Sequence, residues 1–92
     1  MVITLAGDLD ITNRAVLAEQ LSQALAQQPT RLVYDLTEVP YVDGGTLYLL
    51  MQAARRTGHE PVLMCPSPLV TRLLHVTGLE TECAITPGQQ PA

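Results

Sequence analysis

The sequence predicts a small α/β domain: a mainly parallel, four-stranded sheet with helices packed on it, in the order β-α-β-α-β-α-β. Three observations lead to this fold class. Short segments rich in Val, Ile and Leu alternate with longer segments whose apolar residues recur at helical spacing. Glycine or proline separates most of these segments, and 92 residues fit one domain. Strands that alternate with helices predict right-handed crossovers between parallel neighbours.

The first half of the chain contains two predicted strands and a helix. Residues 2–5 (V-I-T-L) form the first strand. Thr12 or Asn13 can cap the following helix by accepting a hydrogen bond from a free backbone N–H. The apolar stripe of this helix consists of Leu17, Leu21 and Leu25. Pro29 ends it, and residues 31–36 (R-L-V-Y-D-L) form a second strand, apolar enough to be buried on both faces.

The second helix begins after Asp43. Its apolar face consists of Leu47, Leu50, Met51 and Ala54. Arg55 and Arg56 lie in its last turn, where cations suit the helix dipole, and Gly58 is suited to end it.

A third strand, a third helix and a last short strand follow. Residues 61–65 (P-V-L-M-C) form the strand, and Ser67 then caps a helix that has Pro68 at its first position and Gly78 at its end. The last strand lies near residues 82–85. We expect residues 1–86 to form the domain and residues 87–92 (P-G-Q-Q-P-A) to form a disordered tail.

Composition and charge exclude several classes of function. The net charge is −4, and the five basic residues are all Arg and form no stripe, so we expect no nucleic-acid partner. No apolar run approaches the ~20 residues of a membrane span, so the protein should not be embedded in a membrane. No secretory signal precedes Met1, which favours the cytoplasm. Cys65 and Cys83 are interpreted as buried thiols in a reducing compartment, with a disulfide as the weaker alternative.

The stretch Y-V-D-G-G-T-L-Y, residues 41–48, is the main candidate site. Asp43 is suited to cap the second helix, a structural role worth about 1 kcal/mol. Gly44 and Gly45 leave the backbone of the first turn uncovered, so another molecule can approach closely. This junction also follows a buried strand, at the edge of the sheet where α/β proteins bind ligands. The glycines do not form a phosphate-binding loop, because the chain contains no Lys.

At this point the sequence resembles the STAS domain of bacterial anti-sigma factor antagonists, the anti-anti-sigma factors of the sporulation type. The motifs that carry the resemblance, in order along nearly the whole chain, are G-D-L-D, L-V-Y-D-L, V-D-x-x-x-L, P-V-L-M-C and S-P-L-V-T-R-L-L-H-V-T-G-L.

The resemblance implies a protein-binding switch in transcription regulation and not an enzyme. Such an antagonist binds an anti-sigma factor with serine-protein kinase activity and thereby frees a sigma factor. It implies a partner-binding surface that includes Asp8, Asp10, Asp43, Gly44, Gly45, Thr46 and Tyr48. It also implies control by phosphorylation at the start of the second helix, where a phosphate adds about −1.5 to −2 charge.

The sequence departs from the family at the phosphorylation site. The family usually has its Ser or Thr acceptor two residues after the acid, and that position here is Gly45, which has no hydroxyl. Thr46 is one residue further on, rotated by ~100° on a helix. Thr46 is therefore a candidate for a displaced phosphorylation site, and its structural alternative is a hydroxyl that bonds to the local backbone.

Asp8 and Asp10 have a structural alternative as turn and cap residues. Together with Asp43 they could hold Mg²⁺, but nothing provides six ligands, so we expect no metal and no cofactor. No spacing supports a catalytic set. An alternative function is that of a STAS accessory subunit that binds the ATPase of a phospholipid ABC transporter. Family members usually have a further strand before V-I-T-L, so its edge could be covered by a partner or by a second copy in a homodimer.

Overall fold

The computed structural model describes residues 1–87. The predicted tail therefore lies outside the described residues, apart from Pro87. The described elements are β1 (Val2–Ala6), α1 (Arg14–Ala26), β2 (Val33–Glu38), α2 (Gly44–Arg55), β3 (Val62–Met64), α3 (Pro68–Thr77), a 3₁₀ turn (Leu79–Glu82) and β4 (Ala84–Thr86). No helix in residues 1–87 is long and apolar enough to cross a membrane.

The four strands lie side by side in chain order, β1-β2-β3-β4, and every neighbouring pair is parallel. The register aligns Ile3 with Tyr34, Tyr34 with Leu63, and Leu63 with Ile85. A helix connects each strand to the next, because parallel neighbours need a long crossover. The predicted fold class is confirmed.

One face of the sheet carries the core. Leu5, Tyr34, Leu36 and Leu63 belong to one buried cluster with apolar residues of all three helices. Consecutive strand order combined with right-handed crossovers places every connecting helix on the same face of a sheet. Within residues 1–87 the opposite face therefore has no helical layer.

This arrangement corrects the prediction that β2 is buried on both faces. Tyr34 and Leu36 are fully buried, whereas Val33 and Asp35, which alternate with them, are only half-buried. Side chains along a strand alternate between the two faces of the sheet, and only one face here is covered by helices. The apolar character of the strand could not reveal which face would stay uncovered.

The helix faces agree with their predicted stripes in most positions. Leu17 and Leu21 of α1 are buried and Leu25 is half-buried. The four predicted residues of α2 (Leu47, Leu50, Met51 and Ala54) are all buried. Asn13 precedes α1 as predicted, but its side chain does not cap the helix. It instead bonds to the preceding loop, accepting from the N–H of Asp10 at 3.0 Å and donating to the carbonyl of Asp8 at 2.8 Å.

The segment after α3 differs from the prediction. Gly78 ends α3 in the left-handed conformation as expected, with φ of 76°. A 3₁₀ turn then occupies Leu79–Glu82, and β4 starts only at Ala84, two residues later than predicted. Short 3₁₀ turns have no hydrophobic period of their own, which explains why the sequence pattern did not reveal this one. Both cysteines are free; Cys83 is buried and Cys65 is half-buried.

Candidate functional site

The loops at the carboxyl ends of β1 and β2 are joined into one structure. Leu9 forms a parallel bridge with Val42. The N–H of Leu9 donates to the carbonyl of Tyr41, and the N–H of Asp43 donates to the carbonyl of Leu9, each at 2.9 Å. The loop that contains Asp8 and Asp10 is therefore held directly beside the start of α2.

The start of α3 is attached to the same edge of the sheet. Ser67 caps α3, because its Oγ accepts a hydrogen bond from the N–H of Val70 at 3.2 Å. The same hydroxyl donates to the carbonyl of Pro40 at 2.9 Å, so it also contacts the loop before α2. Three loops consequently form one surface at the carboxyl edge of the sheet.

Asp43 caps α2 as predicted. Its Oδ1 accepts a hydrogen bond from the N–H of Thr46 at 2.7 Å. The hydrogen bonds with Thr46 lower the pKa of the Asp43 carboxyl, and the charge and hydrogen bonds of Arg14 act in the same direction. Its side chain is 25% exposed, so the carboxylate faces both the helix and the solvent.

Arg14, which the sequence did not single out, completes this site. Its Nη2 lies 3.0 Å from both carboxylate oxygens of Asp43, and its Nε donates to the Thr46 hydroxyl at 3.1 Å. The side chains of Arg14, Asp43 and Thr46 are called the Arg14 network below. A sequence signal for it existed: Arg14 is in the first turn of α1, where the helix dipole disfavours a cation that lacks an acidic partner.

The two glycines have different surroundings. A Cβ at Gly44 would have no heavy atom within 4 Å, so this position is open. A Cβ at Gly45 would lie 2.8 Å from Nη2 of Arg14 and 3.0 Å from its Cζ. Both glycines are exposed, but the guanidinium covers one side of Gly45. Only Gly44 fully meets the expectation of bare backbone at the surface.

Thr46 lies inside the site and not on its surface. Its exposed fraction is 0%, and it is the one fully buried polar residue among the described residues. The backbone N–H donates to Asp43 and the hydroxyl accepts from Arg14. A kinase could reach this hydroxyl only if the start of α2 opened.

Asp8 and Asp10 lie close to the helix start in different roles. The Asp10 Oδ1 accepts from the N–H of Thr12 at 2.9 Å and from its hydroxyl at 2.6 Å, which makes a local turn. Asp8 is exposed, and its carbonyl accepts from Asn13. Within residues 1–87 no group of three or more His, Cys, Asp or Glu residues could hold a metal ion.

The loops and helix starts that form this surface also carry exposed apolar side chains. Ile11 is 73% exposed and follows β1, Tyr41 is 44% exposed and follows β2, and Leu69 is 60% exposed in the first turn of α3. Tyr48, in the second turn of α2, is 55% exposed. Of these four residues, the sequence placed Tyr41 in the candidate stretch and only Tyr48 among the partner-binding residues, because large apolar residues in loops and first turns show no period that marks them as exposed.

The fold and the site together define a class of small parallel α/β domain, with an acid-capped, glycine-containing helix start at the carboxyl edge of its sheet. The chain belongs to the STAS domain family: a family profile described as "Mlab, STAS domain" matches residues 1–87. This confirms the family that the sequence motifs indicated.

Known relatives and solved structures agree with this family. The chain is 26% identical over 81 residues to the anti-sigma-F factor antagonist RsfB of Mycobacterium tuberculosis, covering 86% of this chain and 66% of that protein. It therefore spans slightly less than two thirds of that relative's length. The structure of an anti-sigma factor antagonist from Mycobacterium paratuberculosis matches with a TM-score of 0.79 and 26% identity, covering 94% of this chain and 75% of the other. Unphosphorylated SpoIIAA, an anti-sigma factor antagonist, has the same fold, with a TM-score of 0.74 and 22% identity over 92% of this chain and 77% of the other.

Proposed function

We propose that this protein is an anti-sigma factor antagonist that binds an anti-sigma factor of the serine-protein kinase type and so regulates transcription indirectly. The observation that carries the proposal is the joined surface at the carboxyl edge of the sheet, whose loops and helix starts carry both the bare Gly44 backbone and exposed apolar side chains. The relatives and structures named above are themselves antagonists of anti-sigma factors.

The chemistry of this surface suits protein binding better than catalysis. Tyr41 and Tyr48 expose large rings, and exposed aromatic residues are enriched at the centres of protein interfaces. The acidic side chain of Asp43 is already neutralised by Arg14, so it is poorly suited to act as a general base. We therefore propose a binding module that works in the cytoplasm, and not an enzyme.

Charge favours a basic partner surface. The chain carries a net charge of −4, and Asp8 is exposed on the β1–α1 loop beside the proposed interface. Complementary charge speeds association and disfavours wrong partners, although it adds little affinity at an exposed rim. The proposal thus predicts association that slows as the salt concentration rises.

Control of this antagonist would differ from that of a member with an exposed acceptor hydroxyl. Thr46 is fully buried, and Gly45 provides no hydroxyl. Phosphorylation of Thr46 remains a prediction that requires local opening of α2. Without phosphorylation of Thr46, we propose that the protein stays in the state that can bind its partner.

Binding of purified partners tests the proposal. Anti-sigma kinases of the same organism are titrated one at a time with the protein by calorimetry, alongside the ATPase subunit of a phospholipid ABC transporter. We expect saturable, stoichiometric binding to an anti-sigma kinase. Binding to the transporter ATPase alone would favour the alternative function, and binding to neither would reject both.

Two variants locate the interface. Gly44→Gln adds a side chain where the isolated protein has open space, so folding should be kept while affinity falls about tenfold or more. Ala26→Gln, at the exposed far end of α1, is the matched control and should bind normally. Tyr48→Ala should weaken binding by about 1–2 kcal/mol, whereas Val76→Ala, which truncates another exposed apolar side chain (71% exposed, on α3), should not. Unchanged affinity in both site variants would place the interface elsewhere.

A further inference from the structure

Arg14 occupies a position that is unfavourable for a cation. It begins α1, at the end of the helix where the dipole repels a cation, and its side chain is still only 34% exposed. Fixing a long arginine side chain costs rotamer entropy. The hydrogen bonds of Arg14 must offset both the dipole repulsion and the lost entropy. Two of them go to the Asp43 carboxylate, which caps α2, and one goes to the Thr46 hydroxyl in α2.

Gly45 is part of the same arrangement. The three heavy atoms nearest to a Cβ built at this position all belong to the Arg14 guanidinium, at 2.8 to 3.1 Å. A real side chain would require the guanidinium to shift by at least a few tenths of an ångström, and this shift would disturb its contacts with Asp43 and Thr46. Gly44, its neighbour in the same helical turn, has no such constraint. Glycine at position 45 therefore leaves the space that the Arg14 guanidinium occupies.

The Arg14 network joins two segments that carry the proposed interface. Arg14 lies three residues after Ile11 in the chain, and Tyr48 is two residues after Thr46. The backbone bridge between Leu9 and Val42 holds the bases of the same two segments. The arginine adds a side-chain connection between α1 and the first turn of α2, so the exposed residues of both helix starts are held in one relative position.

We propose that Arg14 is a positioning residue of the partner-binding surface, which works because Gly45 leaves space for its guanidinium over the start of α2. The residue fixes the β1–α1 loop against α2 before the partner arrives, so less ordering is needed on binding. The binding part of this inference rests on the proposed function, whereas the coupling between Arg14 and Gly45 does not.

A double-mutant cycle tests the coupling without a partner. Urea unfolding is measured for Arg14→Ala, Gly45→Ala and the double variant. Without Arg14, Ala at position 45 should raise the folding equilibrium constant about threefold, as expected where Ala fits a helix. With Arg14 present this gain should vanish or reverse, which gives a coupling of about three- to tenfold. The cycle of Arg14→Ala with Gly44→Ala is the control and should be additive, because Gly44 is open. Additivity in both cycles would overturn the inference.

Binding to the anti-sigma kinase tests the positioning role. At temperatures well below unfolding, Arg14→Ala should lower affinity about tenfold, and Arg14→Lys should restore only part of it because ammonium lacks the planar fork of donors. Arg55→Ala removes an ion pair with Glu82 at the opposite end of α2 and should bind like the wild type. Hydrogen exchange of the Thr46 and Leu47 amides, both bonded to Asp43, should accelerate in Arg14→Ala and not in Arg55→Ala.

The outcomes separate the two proposals. Coupling in the cycle, accelerated exchange and lost affinity together support the positioning role. Coupling with unchanged affinity of Arg14→Ala would overturn that role while leaving the proposed function intact. Failure of the wild-type protein to bind any anti-sigma kinase would instead reject the proposed function, and the result of the folding cycle would still stand.

Discussion

At the residue scale, Asp43 performs two tasks with one carboxylate. It caps α2 through the N–H of Thr46 and it pairs with Arg14 across to α1. An exposed ion pair contributes little by itself, but this carboxylate also receives a helix N–H, and its pKa is lowered as a result. The residue therefore links the local stability of the helix start to the geometry of the surface.

The lowered pKa of Asp43 predicts how stability depends on pH. Its contribution should be complete above the unfolded-state pKa of about 3.9, and it should be lost as the pH falls through the lower folded-state value. Asp43→Asn retains a capping side chain but cannot titrate. We expect the wild type to be the more stable protein near pH 6 and the difference to shrink below pH ~4, measured by urea unfolding at a series of pH values.

Comparison with Asp43→Asn isolates this group, because the pKa of Asp35 is also lowered, through Thr37. Titration of Asp35 is common to both proteins and cancels in the difference between them. A difference in stability that stays constant between pH 6 and pH 2 would contradict the assignment of the lowered pKa to Asp43.

At the element scale, the start of α3 serves both its helix and its neighbouring loop. Ser67 accepts from the N–H of Val70 and donates to the carbonyl of Pro40. Pro68 follows at the first helical position, where its missing N–H has no cost. One hydroxyl thus attaches α3 to the loop that leads into α2.

Ser67→Ala should destabilise the protein by about 1–2 kcal/mol, since it removes a helix cap and leaves a carbonyl without this partner. Ser22→Ala, in the exposed part of α1, is the matched control and should be neutral or slightly stabilising because Ala favours helices. Urea unfolding of both variants measures the difference. Equal effects of the two substitutions would show that the Ser67 contacts contribute nothing.

At the scale of the whole molecule, the sheet that residues 1–87 form has one face covered by helices and an open edge along β1. Within residues 1–87, β1 pairs only with β2. The Val33 N–H donates to the carbonyl of Met1, so alternation along β1 turns the backbone groups of Val2 and Thr4 away from β2. Open edges of this kind are sites where a second chain can add a strand.

We propose that a second copy or a partner covers this edge, and sedimentation tests the first case. The wild type should show a mass that rises with concentration, while Thr4→Pro should stay monomeric because proline removes an outward N–H. Thr4→Val keeps that N–H and should associate like the wild type. A wild type that is monomeric over a wide range of concentrations, or a Thr4→Pro variant that still associates, would rule out a homodimer through β1.

Most of the fold was determined by local features of the sequence. Apolar spacing predicted the buried faces of α1 and α2, and Asp43, Ser67 and Gly78 marked the helix ends where the structure has them. The order of strands and helices then led to a parallel sheet. These features act within a few residues of the chain, so they can be read without knowing which segments become neighbours.

Only the tertiary structure decided which face of the sheet stayed uncovered and what surrounds the start of α2. Arg14 and Asp43 are 29 positions apart, and no periodicity connects them. The same packing buried Thr46 and assigned different surroundings to two adjacent glycines. Contacts of this kind depend on the position of the β1–α1 loop relative to the end of β2. The packing of the whole sheet determines that position, and no local sequence pattern reveals it.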